Sequence, residues 1–144
     1  NRVATAIRVT HLPTNVSAMG TESRSQLKNK TVALYRLRNK LALHHRSEVS
    51  DVDLCPPAAY VPSEAWMKRL KGQKIKVSIN HDDFPALLAE VLDRLHIDLD
   101  DIGETATAFR VSNSQLIKFL ASEPHALHEL NERRKKSGHK PLRS

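Results

Sequence analysis

Cysteine occurs once, at Cys55, so no internal disulfide can staple this chain, and the flanking Pro56 and Pro57 give no metal-knuckle pattern. A reducing compartment is the expectation. Aromatic residues make up 4% of the sequence, too few for a platform on which single-stranded bases stack. No apolar run approaches the roughly 20 residues that span a bilayer, and the opening residues carry no signal-peptide pattern, so no membrane association is expected. The four glycines form no phosphate-cradling loop, and no G-x-S-x-G or Cys/His cluster with ligand spacing is present. The adjacent His44 and His45 point to different helix faces. His81 stands beside Asp82 and Asp83 at a helix start, and His11 belongs to a strand. No metal and no small-molecule cofactor is therefore predicted.

Acid is nearly missing from the first 46 residues. Nine Lys/Arg (Arg2, Arg8, Arg24, Lys28, Lys30, Arg36, Arg38, Lys40 and Arg46) face one carboxylate, Glu22, a balance of +8 in a chain whose total is +7. Residues 47–128 have a balance of −5 and residues 129–144 one of +4. Two basic ends around an acidic middle point to a polyanionic partner at the ends, RNA above all. With so few aromatics, its phosphates would supply the affinity.

Periodicity predicts an α+β fold. Val3 to Leu12 alternates apolar and polar residues like a strand, Leu12-Pro13-Thr14-Asn15 reads as a turn, and Val16 to Met19 returns as the second strand of a hairpin. The cluster Thr21-Glu22-Ser23 opens a long helix free of Gly and Pro. Its stripe Leu27, Thr31, Leu34, Leu37 and Leu41 should pack on the hairpin, leaving Arg24, Lys28, Arg36 and Lys40 outward. The expected organisation is this hairpin-and-helix unit over 1–46, a Ser/Asp/Pro linker over 47–62, and an all-α unit over 63–144 with a basic tail. In the last unit, Ser63 caps a short helix that runs to about Lys71 and stops at Gly72, and Lys74 to Ile79 alternates like a brief extended segment. Asp83-Phe84-Pro85 opens a helix burying Leu87, Leu88, Val91, Leu92 and Leu95. Ala106, Val111, Ser112, Leu116 and Leu120 fall as in a helix-turn-helix unit, with Asn113, Gln115 and Lys118 outward and Arg110 where Gly is usual. Asp98, Asp100, Asp101 and Glu104 nearby would repel phosphate. A last helix runs from about Pro124 to Lys136.

Arg8-Val9-Thr10-His11-Leu12-Pro13-Thr14, followed by Ser23-Arg24-Ser25-Gln26 and Asn29, resembles the catalytic domain of class I peptide chain release factors, where R-x-T-H-x-P-T-G precedes R-S-Q-x-x-N. Asn15 stands where that family has the turn glycine. In the family a Gly-Gly-Gln loop lies just upstream and leaves through an Asn-Arg or Asn-Lys step, which Asn1-Arg2 matches, so the sequence is expected to begin a few residues after that loop. The loop helps water attack the ester joining peptide to tRNA, a backbone N–H stabilising the oxyanion. Gly-Gly-Gln itself is absent from these residues, and no catalytic residue is assigned among them. The family's codon-reading domain also has no counterpart, which brings the chain nearer to short release-factor-like proteins that rescue stalled ribosomes. Residues from Trp66 onward resemble the helical extension of a group of bacterial members.

The resemblance implies a ribosomal partner, namely large-subunit RNA and peptidyl-tRNA, for a protein that is monomeric off the ribosome. It implies translation termination or rescue in the cytoplasm, with the mitochondrial matrix or plastid stroma as alternatives. The RNA-contact candidates are Arg2, Arg8, Arg24, Gln26, Lys28, Asn29, Lys30 and Arg36, with Arg133, Arg134, Lys135 and Lys136 in the basic C-terminal end. Two other readings stand beside it: a ribosome- or RNA-binding protein that has lost the glycine loop, and a helix-turn-helix DNA-binding protein.

Overall fold

A computed structural model describes residues 4–144. The fold is α+β, and the chain divides into two compact units, Asn1–His45 and Arg46–Ser144. In the first, β1 (Ile7–His11) and β2 (Val16–Gly20) pair antiparallel, and α1 (Gln26–His44) packs across them. The tight turn closes through Asn15, whose N–H donates to His11 O at 2.7 Å and whose φ is 59°. Asn tolerates this left-handed backbone better than most residues, which is why it can stand for glycine here. The register sets Ile7 opposite Gly20 and Val9 opposite Ala18. Ala18 and Gly20 are buried, whereas Arg8, Thr10 and Met19 alternate onto the exposed face.

The helix rests on the hairpin by a face that takes in only the C-terminal part of the predicted stripe, Leu37 with Leu41 half-buried. Its buried residues are Asn29, Ala33, Leu37 and Ala42, while Leu27 is 74% and Leu34 42% exposed. The cause lies in Gly20. A Cβ there would run into the main-chain carbonyl of Asn29, so the helix backbone lies directly against the strand. An approach this close admits small side chains, Asn29 and Ala33, and leaves Leu27 and Leu34 outward while Leu37 is buried further along.

The second unit holds α2 (Glu64–Met67), β3 (Leu70–Lys71), β4 (Lys74–Ile75), α3 (Phe84–Ile97), α4 (Ile102–Phe109), α5 (Asn113–Ala121) and α6 (Pro124–Lys136). It is not all-α as expected, because β3 and β4 pair antiparallel in a short hairpin turned at Gly72, φ 60°. Trp66 centres the core: its ring meets Phe109 and Phe119 edge-on, and its indole N–H donates to Phe109 O at 2.9 Å. Phe84, Leu87, Leu88, Leu116, Leu120 and Leu130 close around it, all fully or nearly fully buried.

Residues 47–62 belong to this unit rather than trailing as a free linker. Two 3-10 turns, Asp51–Leu54 and Pro57–Ala59, form there. The buried Arg94 guanidinium donates to Asp53 O at 3.2 Å and Cys55 O at 3.0 Å while holding Asp98 at 2.9 Å. Tyr60 donates its hydroxyl to Glu90 at 2.8 Å, and burial followed by that carboxylate pushes the phenol far above its ordinary pKa. An Arg/Glu pair thirty-odd residues downstream thus orders a segment whose composition reads as loop.

Candidate nucleic-acid interface

The start of α1 is held by a ladder of short polar links. Ser23 Oγ accepts from Ser25 N–H at 3.0 Å, and Ser25 Oγ, the N-cap, accepts from Lys28 N–H at 3.2 Å. The cap falls two residues beyond the last of the start signals that the sequence offered. Asn29 completes the ladder. Its Nδ2 donates to Thr5 O at 2.8 Å and Ser23 O at 2.9 Å, and its Oδ1 accepts from Ser23 N–H at 2.9 Å. With no exposed surface, Asn29 joins helix, loop and the approach to β1. The three hydrogen bonds of its two side-chain polar atoms are all made inside the unit.

Around that clamp Arg24, Gln26, Lys28 and Lys30 are exposed, and among the described residues none of the three cations has an ion-pair partner. The first turn of α1 contains no acid. Cations at a helix N-terminus oppose the macrodipole at a cost of about 0.3–1 kcal/mol each. An external anion here would meet both the side-chain charges and the exposed N–H groups of the helix start.

Arg36 and Lys40 turn the other way, toward the hairpin. Arg36 donates to Met19 O at 2.9 Å and Lys40 to Ser17 O at 2.8 Å, so two side chains cover the carbonyls along the outer edge of β2. Arg36 also meets Glu22 at 2.6 Å. This hydrogen bond, reinforced by the Thr21 N–H, holds the Glu22 carboxyl down to about 2. Arg36 is therefore an edge cover and ion-pair partner whose side chain stays half-exposed. Arg8 lies on the exposed hairpin face, its guanidinium 3.4 Å from both Ser17 Oγ and Met19 Sδ. Arg2 lies outside the described residues.

The second basic group, in the other unit, is built differently. Arg133 grips Asp100 at 2.7 Å, and Arg134 donates to Lys140 O at 3.0 Å. Lys135 and Lys136 are exposed in the last turn of α6, where cations suit the dipole and need no ligand to explain them. The tail folds back: Asn131 donates to Leu142 O at 2.9 Å and accepts from Leu142 N–H at 2.7 Å. Among the described residues no group of three His, Cys, Asp or Glu is placed to hold a metal, and no helix is long and apolar enough to cross a membrane.

What these observations define is a small α+β unit with a basic helix start, followed by a mainly helical unit. Part of the chain is similar to peptide chain release factors. It is 61% identical over 41 residues to the chloroplastic peptide chain release factor PrfB1 of Arabidopsis thaliana, a match taking in 28% of this chain and 9% of that protein. It is 41% identical over 51 residues to peptide chain release factor 1 of Streptococcus sanguinis, covering 35% of this chain and 14% of that one. The chain thus spans only about a tenth of the length of these relatives. No family model matches it, and no solved structure does.

Proposed function

We propose that the first unit docks on large-subunit ribosomal RNA and that the protein acts in translation termination or ribosome rescue. The observation that carries the reading is the α1 start, where Arg24, Lys28 and Lys30 have no ion-pair partner among the described residues and surround the Asn29 clamp. The motif resemblance and the release-factor names of the relatives support it. Preorganisation matters here: the backbone that carries the cations is fixed before any phosphate arrives, so little ordering entropy opposes contact. In this reading the ester-cleaving Gly-Gly-Gln loop lies ahead of Asn1, and the present residues position rather than cleave. The plastid relative fits an organellar setting as well as a cytoplasmic one.

Co-sedimentation with ribosomal large subunits over a salt series tests the docking. Replacing Arg24, Lys28 and Lys30 together with Ala should lower affinity about tenfold or more and flatten the salt dependence, since each lost phosphate contact removes roughly 0.7–0.9 from the log–log slope. Binding that ignores both salt and the triple change would sink the proposal. The 144 residues alone should release no peptide from peptidyl-tRNA on ribosomes, and turnover by them would move the catalytic group into this chain.

A further inference from the structure

The β3–β4 hairpin of the second unit has a face made of cations. Between Glu64 and Asp82 the sequence has no acid, yet Lys68, Arg69, Lys71, Lys74 and Lys76 fall there, inside a region whose overall balance is −5. Pairing sets Lys71 directly opposite Lys74 and Leu70 opposite Ile75. One step further along the ladder, Lys76 N–H donates to Arg69 O at 3.4 Å, which aligns Arg69 with Lys76. Directly opposed residues share a face, so Arg69, Lys71, Lys74 and Lys76 stand together while Leu70 and Ile75, half-buried, turn to the protein. Arg69 is neutralised by Asp83 at 2.7 Å. The three lysines have no carboxylate within salt-bridge distance among the described residues.

Like charges placed directly across a strand pair destabilise it, and a two-stranded hairpin has little stability to lose. Leu70 and Ile75 hold this sheet to the unit on its inner face, while its exposed outer face carries Lys71, Lys74 and Lys76. The hairpin is also fixed in place: Ser112 N–H donates to Gln73 O at 3.3 Å, tying its tip to the start of α5. At that junction Arg110 is exposed, and so are Gln73, Asn113 and Ser114, each offering a donor and an acceptor. Nearby aromatics are not available for stacking, because Trp66, Phe84, Phe109 and Phe119 are all buried.

We propose that this face, with Lys71, Lys74 and Lys76 as its charge and the α5 start beside it, binds the phosphate backbone of base-paired RNA. Buried aromatics argue against a single strand. The exposed amides and hydroxyl suit 2′-hydroxyls on the wide, shallow groove of an RNA helix. The choice of RNA over other polyanions rests on the ribosomal reading above, whereas the face itself does not involve the first unit.

The test uses the full chain with Arg24, Lys28 and Lys30 changed to Ala, so that the first unit contributes little, and an RNA duplex of about 16 base pairs. Fluorescence anisotropy over a potassium chloride series should show duplex binding. Lys71→Ala, Lys74→Ala and Lys76→Ala together should weaken it about tenfold or more and reduce the salt slope by roughly 2–3. The matching triple change to Arg should retain both, showing that charge and not folding was lost. Unchanged affinity and slope in the Ala variant overturn the proposal, as does a DNA duplex bound through these lysines as tightly as the RNA. Failure of the ribosomal reading appears separately, as subunit co-sedimentation indifferent to Arg24, Lys28 and Lys30.

Discussion

Gly20 and Asn29 touch backbone to backbone: the space a Cβ on Gly20 would fill is occupied by the Asn29 carbonyl and Cα. Neither neighbour is a side chain that can rotate away. Gly20→Ala must therefore push α1 off β2 or bend the strand, a kind of overpacking that costs about 1–3 kcal/mol or more. Urea unfolding followed by a first-unit probe should show the loss, with the second unit's transition unmoved.

Asn29→Ala removes the clamp from the inside. Ser23 N–H and Thr5 C=O lose the Asn29 partner, and Ser23 C=O keeps only the Thr5 hydroxyl; each group left unsatisfied away from water costs about 1–3 kcal/mol. Asn29→Asp is the sharper experiment, because it keeps the acceptor for Ser23 N–H but aims a carboxylate oxygen at two carbonyls. The acid form can donate one hydrogen bond and the ionised form none, so the aspartate should titrate above the ordinary carboxylate range. A folded-state pKa raised in this way makes the variant most stable at low pH and progressively weaker as pH rises through the usual carboxylate range and above. Thermal melts of the wild type and Asn29→Asp at pH 4 and pH 7 check the sign.

These two residues also show what the sequence could and could not disclose. Caps are local, and Ser63 and Ser112 accept from Trp66 and Gln115 N–H just as their positions predict. The turn at Asn15 and the α4–α5 step are local in the same sense. Which side of α1 meets the hairpin is decided by Gly20, a residue in another element, and hydrophobic spacing carries no trace of a backbone contact. So of the predicted stripe Leu27, Thr31 and Leu34 face outward while Leu37 is buried and Leu41 half-buried, and the exposed Arg36 and Lys40 reach back to the edge of β2. Site residues were legible as charge and illegible as geometry: Asn29 looks like a polar surface residue until its three partners are seen. The lysines of β3–β4 do not stand out in a region that is acidic on average, and only pairing brings Lys71 and Lys74 together.

Glu22 gives a pH signature for the edge cover of β2. Its carboxyl is lowered from an ordinary 4.5 to about 2, first by the Arg36 hydrogen bond and then by the Thr21 N–H. A depressed carboxylate contributes stability that is present above pH 4.5 and lost as pH falls toward 2. The pair is solvent-exposed, so the effect on unfolding should be small and screened by salt. Carbon-detected NMR titration reads it directly. Arg36→Gln should move Glu22 back toward its ordinary value, the Thr21 N–H still holding it somewhat low, and a Glu22 that titrates normally in the wild type would remove Arg36 from the role given to it.

Arg110 sits between α4 and α5 with φ 60°, ψ 35°, a left-handed conformation that costs a residue with a Cβ roughly 1 kcal/mol. Its neighbours do not require the side chain for packing: the residue is exposed, and its guanidinium lies 3.5 Å from Met67 Sδ. The backbone does require the conformation, because Val111 N–H donates to Ala106 O across it and brings the Ser112 cap into place. Arg110→Gly should therefore raise the stability of the second unit by about 0.5 kcal/mol or more, the relief of strain exceeding glycine's entropic cost in the unfolded chain. Arg110→Ala keeps the Cβ and gains nothing, so the difference between the two variants isolates the backbone term. If the cationic hairpin face binds RNA, both variants lose the same charge beside it and should weaken duplex binding equally, while only one of them melts at a higher temperature. Equal melting temperatures would mean that the left-handed turn carries no strain for glycine to relieve.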